Sequence, residues 1–196
     1  MFDHYVPVVA ILLCGTAIVH QGCEDRSPSV HRGYDDLDPT EQPPIWDLVV
    51  GRGPSQIGWN TIHVKSDGSF RRLSWKDRLV GDTMTAEWTL TEGDLSSDDI
   101  ERIWSALADS VDAIPRWAIN EDIVDGEQWG ISLKIAGQCD RIAYGSNQDV
   151  ASFDDLYRTV EEIIVAAPGT SAPAPSAEYW LALWAGREPW WGYIGS

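Results

Sequence analysis

Between residues 45 and 166 the apolar positions alternate between two periods, two residues and about 3.6 residues, and each change of period marks a new element. Ile45 to Gly51 reads as a short strand with Trp46, Leu48 and Val50 on one face. Asn60 to Lys65 points Ile62 and Val64 inward. Ser66-Asp67-Gly68-Ser69 then supplies a tight turn into a strand from Phe70 to Trp75, because Asp-Gly between alternating runs favours a hairpin. Met84, Ala86, Trp88 and Leu90 alternate with Thr85, Glu87 and Thr89, the pattern of a half-buried strand.

The period then lengthens. Ile100, Ile103, Trp104, Leu107, Val111 and Ile114 form one stripe of an amphipathic helix, with Ser96 or Ser97 placed to cap it and Pro115 to end it. Trp129, Ile131, Leu133 and Ile135 return to alternation. A turn at Ala136-Gly137-Gln138 leads to a partner strand, Cys139 to Gly145, with Ile142 and Tyr144 in phase. A second helix carries Phe153, Leu156, Tyr157, Val160, Ile163 and Ile164 on one face; Ser152-x-x-Asp155 predicts its start and Pro168-Gly169 its stop. The order β-β-β-β-α-β-β-α, with local hairpins, predicts an α+β domain over 45–167. Its antiparallel sheet would have five to six strands, with both helices packed on one face.

The flanks have a different texture. Residues 23–44 are polar, proline-rich and aperiodic, as in a disordered tether, and 168–178 read as a Pro/Ala/Ser linker. The tail 179–196 holds Trp180, Trp184, Trp190 and Trp191. Ala177 to Ala185 suits a short helix, with Trp180, Leu181 and Trp184 making an apolar face before Gly186 and Pro189 break it. An exposed Trp cluster of that size often marks an interface or membrane-surface contact, so these four are candidate binding residues; folding back onto the domain and an extension without function are the alternatives. Within the domain, Trp46, Trp59, Trp75, Trp88, Trp104, Trp117 and Trp129 recur without a surrounding repeat, which suggests one core aromatic per element.

Residues 1–22 change the picture of location. Val6 to Val19 is almost wholly apolar, about long enough for the hydrophobic region of a secretory signal and too short to span a bilayer. Gly22-Cys23, followed by a Ser/Pro-containing polar stretch, resembles the lipobox of bacterial lipoproteins, with His20 and Gln21 where that pattern carries an aliphatic and a small residue. The resemblance implies cleavage before Cys23, a diacylglycerol on its thiol, and a lipid-anchored protein of the cell or outer membrane facing away from the cytoplasm. A plain secretory signal and a buried element of a cytosolic domain are the other readings of the apolar run. The remaining cysteines are Cys14 and Cys139. Lipidation of Cys23 would leave Cys139 unpaired; without it, a Cys23–Cys139 disulfide is open in an oxidising compartment.

Charge narrows the partners. The chain has 31 Asp and Glu against 14 Lys and Arg, for a net charge of −17, and loss of residues 1–22 removes only Asp3. So negative a surface repels phosphate backbones and anionic lipid, which argues against nucleic acid and in favour of a covalent membrane link.

Little in the sequence supports catalysis. After loss of residues 1–22 only His31 and His63 remain, His63 on the expected exposed phase of a strand, and neither a Gly-x-Ser-x-Gly elbow nor a Ser/His/Asp set is present. Asp98/Asp99 and Asp154/Asp155 fall in first helical turns, where acids complement the helix dipole. Asn120 to Gly126 places Ile123 where a calcium loop needs an oxygen ligand. No cofactor or metal is expected. The element order, with Asp125-Gly126-Glu127-Gln128-Trp129 opening the later hairpin, resembles small α+β domains of bacterial lipoproteins. More distantly it is similar to emfourin-type inhibitors of thermolysin-like proteases. These resemblances imply a non-catalytic, envelope-anchored binding domain for a protein partner, with protease inhibition as one alternative and a metal-dependent enzyme as another.

Overall fold

In a computed structural model of the chain, residues 44–54, 59–80, 83–120, 122, 126–138 and 140–174 are described. They form a mixed α+β domain built on one eight-stranded sheet with two helices. In chain order the elements are β1 (Trp46–Pro54), β2 (Asn60–Lys65), β3 (Ser69–Val80), β4 (Thr83–Asp94), α1 (Ser97–Ser110), β5 (Trp117–Ile119), β6 (Glu127–Ile135), β7 (Arg141–Ser146), α2 (Ala151–Ala166) and β8 (Gly169–Pro173). The sheet order is β5-β7-β6-β1-β2-β3-β4-β8. Every pairing is antiparallel except β5 with β7, which is parallel.

Two strands exceed the expected five to six. β5 is three residues long and follows Pro115, too short for a period to register. β8 lies inside the stretch that composition marks as a linker. Gly169–Pro173 has no apolar alternation and every residue in it is exposed; it is a strand because the outer edge of β4 accepts it, from Gly93↔Gly169 to Thr89↔Pro173.

Both helices pack on one face, as the periodicities predict. That core holds Trp46, Leu48 and Val50 of β1, Ile62 and Val64 of β2, Phe70 of β3 and the 129/131/133/135 series of β6, against Ile103 and Leu107 of α1 and the apolar stripe of α2. Trp46 stacks on Trp104 with ring centroids 6.2 Å apart, and Trp129 on Phe153 at 4.4 Å. Ser96 caps α1 through an N–H donated by Asp99 at 3.2 Å. The Ser152 cap is not formed: α2 starts at Ala151 after Val150, with no side-chain cap.

The opposite face is apolar too, which corrects the phase assigned to several residues. Val49, Trp59, Leu73, Trp88 and Tyr144 form a second buried cluster there, flanked by half-buried Trp75, Ala86, Leu90 and Ile142. Ile142 and Tyr144 therefore point away from the helices, and it is Ala143 that meets the helix-covered core. Alternation identifies two faces but not which one is covered, and here both carry apolar residues. The seven domain Trp residues do fall one to an element or its entrance. Trp117 departs from the core role expected of it: it sits on the edge strand β5, 48% exposed, edge-on to Tyr144.

Candidate functional site

Two depressions open beside the start of β1, and their walls follow from strand register. β1 pairs with β2 on one side and β6 on the other, so the turns after those two strands converge on the first residues of β1. Trp46 donates its N–H to Ser66 Oγ at 3.1 Å, and its carbonyl accepts from the Ser66 N–H at 2.9 Å. Ala136 N–H donates to the Ile45 carbonyl at 2.9 Å. Gly68 adopts φ +92°, the left-handed conformation that the turn requires, and a Cβ there would stand 3.2 Å from Ile100 Cδ1. The Asp-Gly turn is thereby seated under the first turn of α1.

The result is a groove of about 840 Å³ with an apolar floor of Ile45, Trp46, Ile100 and Ile135. Its rim is charged with both signs: Asp47, Asp67 and Glu101 against Lys65 and Lys134. Ile45 is 74% exposed, the most exposed large hydrophobic residue among those described. Asp67 accepts from the Ser69 hydroxyl at 2.7 Å and the Ser69 N–H at 2.9 Å. These bonds, hydroxyl first, hold its carboxyl below the usual carboxylate range, and Lys65 adds to the effect. The rim thus carries a firmly ionised carboxylate at neutral pH.

A second depression of about 490 Å³ lies on the helix-free face, next to the groove, and shares Lys65 with it. It gathers His63, Arg71, Glu92, Asp94 and Thr170. The charges here form a ladder across the strands. Lys134 and Lys65 are the register partners of Asp47 on its two sides; His63 Nε2 lies 3.1 Å from Asp47, and Arg71 pairs with Glu92 at 2.7 Å. His63 is half-buried in this ladder rather than on an open strand face.

A third charged group ties the far end of β1 to α2. Arg52 donates through Nε to Glu127 at 2.9 Å and through a terminal nitrogen to Asp154 at 3.1 Å, while its guanidinium lies 5.7 Å from the centre of the Tyr157 ring. The bond to Glu127 holds the Arg52 pKa above its ordinary value. Burial raises the Asp154 carboxyl, with Arg52 acting in the opposite direction, and burial likewise raises the Tyr157 phenol. Each charge has its partner in this network, so it fastens α2 to the sheet rather than presenting reactive groups.

One member of each candidate carboxylate pair on the helices is held by a neighbouring arginine. Asp99 bonds Arg102 at 3.3 Å and Asp155 bonds Arg158, both within one helical turn. Asn120 Oδ1 accepts from the Asp122 N–H at 3.1 Å. Among the described residues no group of three His, Cys, Asp or Glu side chains is placed to hold a metal ion, and no helix is long and apolar enough to cross a membrane. Cys23, Cys139, Trp180, Trp184, Trp190 and Trp191 lie outside the described residues.

The groove residues carry no motif. Its two turns are visible in the sequence as Asp67-Gly68 and Ala136-Gly137-Gln138. Their meeting at Trp46 depends on β6 pairing with β1 across more than seventy intervening residues, which no local pattern states. No protein-family model matches the chain, and no curated protein matches it.

Proposed function

We propose that this chain is a lipid-anchored protein of the bacterial envelope whose α+β domain is a non-catalytic binding module for a protein partner, with the groove beside Trp46 as its contact site. The observation that carries the reading is the groove's make-up. An apolar floor of Ile45, Trp46, Ile100 and Ile135 surrounded by charges of both signs is the arrangement of a protein-contact patch, with an anchoring centre and a polar rim. Two further facts support it. The charged side chains at the other two clusters are engaged with one another, which leaves little for catalysis. The Gly22-Cys23 sequence after an apolar run supports the anchor, and the net charge of −17 makes adsorption to anionic lipid or nucleic acid a poor alternative. An envelope protease is one partner of this kind, and blocking it would make the module an inhibitor.

The test has two arms. Metabolic labelling with a fatty-acid analogue should mark the wild-type protein and not Cys23→Ala, which should move to soluble fractions. A photocrosslinking residue at Ile45 should give a discrete adduct in intact envelopes, whereas one at Val165, 59% exposed on α2, should not. Label on Cys23→Ala would overturn the anchor; equal adducts from both positions would overturn the groove.

A further inference from the structure

We propose that β5, the outermost strand on one side of the sheet, pairs antiparallel with β5 of a second copy of this chain, about a two-fold axis beside Ala118. The inference is independent of what the groove binds. β5 ends the strand order and pairs only with β7. Its bonds to β7 fix which way each backbone group points. Tyr144 donates its N–H to the Arg116 carbonyl at 3.0 Å, and Asn120 donates its N–H to the Ser146 carbonyl at 2.9 Å. The residues between them alternate, so Ala118 turns its N–H and carbonyl toward β7 while Trp117 and Ile119 turn theirs outward. Among the described residues no backbone group pairs with that outer edge. The side chains follow the same alternation. Ala118 is buried in the helix-covered core, whereas Trp117 and Ile119, on the helix-free side with Tyr144, are 48% and 43% exposed. Two large apolar side chains beside an open row of donors and acceptors form a site for strand addition.

Three features select a second copy as the occupant. The outward groups of Trp117 and Ile119 lie symmetrically about Ala118. Antiparallel self-pairing therefore opposes Trp117 to Ile119 of the other copy, and every outward N–H meets a carbonyl. The same register sets each indole beside an isoleucine, an aromatic–β-branched pair of the kind that stabilises adjacent strands. Charge agrees as well. Arg116 at the start of the strand and Asp122 just past its end are both exposed, and neither has an ion pair among the described residues. The two-fold axis brings Arg116 opposite Asn120 of the other copy, next to the turn in which Asp122 donates its N–H to Asn120 Oδ1. The far edge of the sheet offers nothing similar: β8 has no large apolar or charged side chain, and Pro173 has no N–H to donate. Each copy contributes only a three-residue strand, so the contact is small and the dimer is a weak, reversible one.

Full-length protein in mild detergent provides the test. A photoreactive aromatic residue at Trp117, in a mixture of isotopically light and heavy chains, should give links that mix the two and fall on the peptide holding Ile119. Ile119→Pro removes an outward N–H and leaves the bonds to β7 in place. It should weaken the dimer roughly tenfold in sedimentation experiments, with an unchanged circular dichroism spectrum. Arg116→Glu should weaken it severalfold, and adding Asp122→Arg to that chain should restore it. A protein that stays monomeric at its highest soluble concentration would overturn the proposal. So would links confined to one chain or to peptides without Ile119, a dimer indifferent to Ile119→Pro, or a charge swap that restores nothing. Should Ile119→Pro fail to fold, the link map and the exposed charge swap still decide.

Discussion

Trp129 and Gly145 are register partners across β6 and β7, and the indole occupies the space that a side chain on Gly145 would need: a Cβ there would stand 2.0 Å from Trp129 Cε2. The missing side chain lets the indole lie flat over β7, where it stacks on Phe153 of α2 and donates its Nε1–H to the Gln148 carbonyl at 2.9 Å. One glycine thus sets the height at which α2 rides over the sheet. Gly145→Ala should cost about 1–3 kcal/mol, the usual range for overfilling a packed core. Urea denaturation measures it, and a variant as stable as wild type would show that the indole has room to move.

Arg52 joins the end of β1 to α2 through Glu127 and Asp154, and its removal should show a pH signature. Burial already holds the Asp154 carboxyl above the ordinary carboxylate value, and the guanidinium opposes that shift. Arg52→Met would leave burial unopposed, so folded Asp154 would keep its proton to a higher pH than the unfolded chain does. Stability then falls as pH rises through that raised value. The variant should lose about 1 kcal/mol near pH 7, a modest figure suited to a pair this open to water. The loss should shrink toward acid pH. Denaturant midpoints that differ equally at acid and neutral pH would refute this account of the cluster.

Asp67 carries the opposite sign. Its carboxyl is held below the ordinary range by the Ser69 hydroxyl and N–H, so the stabilisation is complete above the unfolded value and disappears as pH falls through the depressed folded one. Asp67→Ala should melt at a lower temperature than wild type at neutral pH, and the two melting curves should converge in strong acid. A gap that persists there would place the effect in turn geometry rather than charge.

Neighbouring residues on β6 give the sharpest contrast. Leu133 is buried between sheet and helices, whereas Lys134 faces the other way in a 3.6 Å pair with Asp140 that is open to water. Leu133→Asp places an unpaired charge in the core and should cost several kcal/mol, enough to unfold the domain. Lys134→Ala should stay within about 0.5 kcal/mol. Circular dichroism melts of the two variants provide the measurement.

Most of the fold was legible because its signals are local. The Asp67-Gly68 turn, the α1 stripe from Ile100 to Leu107 and the α2 stripe from Phe153 to Ile164 each need only their own window of sequence. However, α1 stops at Ser110 and not at Pro115: Val111–Ala113 forms a 3-10 turn and Ile114 is extended, with the Val111 and Ile114 side chains still reaching the core. β5 and β8 were not legible, since three residues carry no period and Gly-Thr-Ser-Ala-Pro has no strand preference until β4 offers it an edge. The phase of Ile142 and Tyr144 was misread for a related reason: with apolar residues on both faces, alternation loses its inside and outside. The groove was the least legible part. Asp67, Ile100 and Ile135 come from three separated regions, and only the central position of β1 brings them together.

That central position also governs how the protein comes into being. A chain extended as far as Asp94 holds all of β1 to β4 and can close them as successive hairpins, but the other side of β1 stays unpaired until Glu127–Ile135 arrives. Through that interval the nascent chain exposes a nine-residue ladder of unmet hydrogen-bonding groups on its most apolar strand, the kind of edge that recruits other chains. Closing so distant a pairing is intrinsically slow. The hazard of misassembly is therefore set by the time between the emergence of β1 and that of β6, whatever the stability of the finished domain.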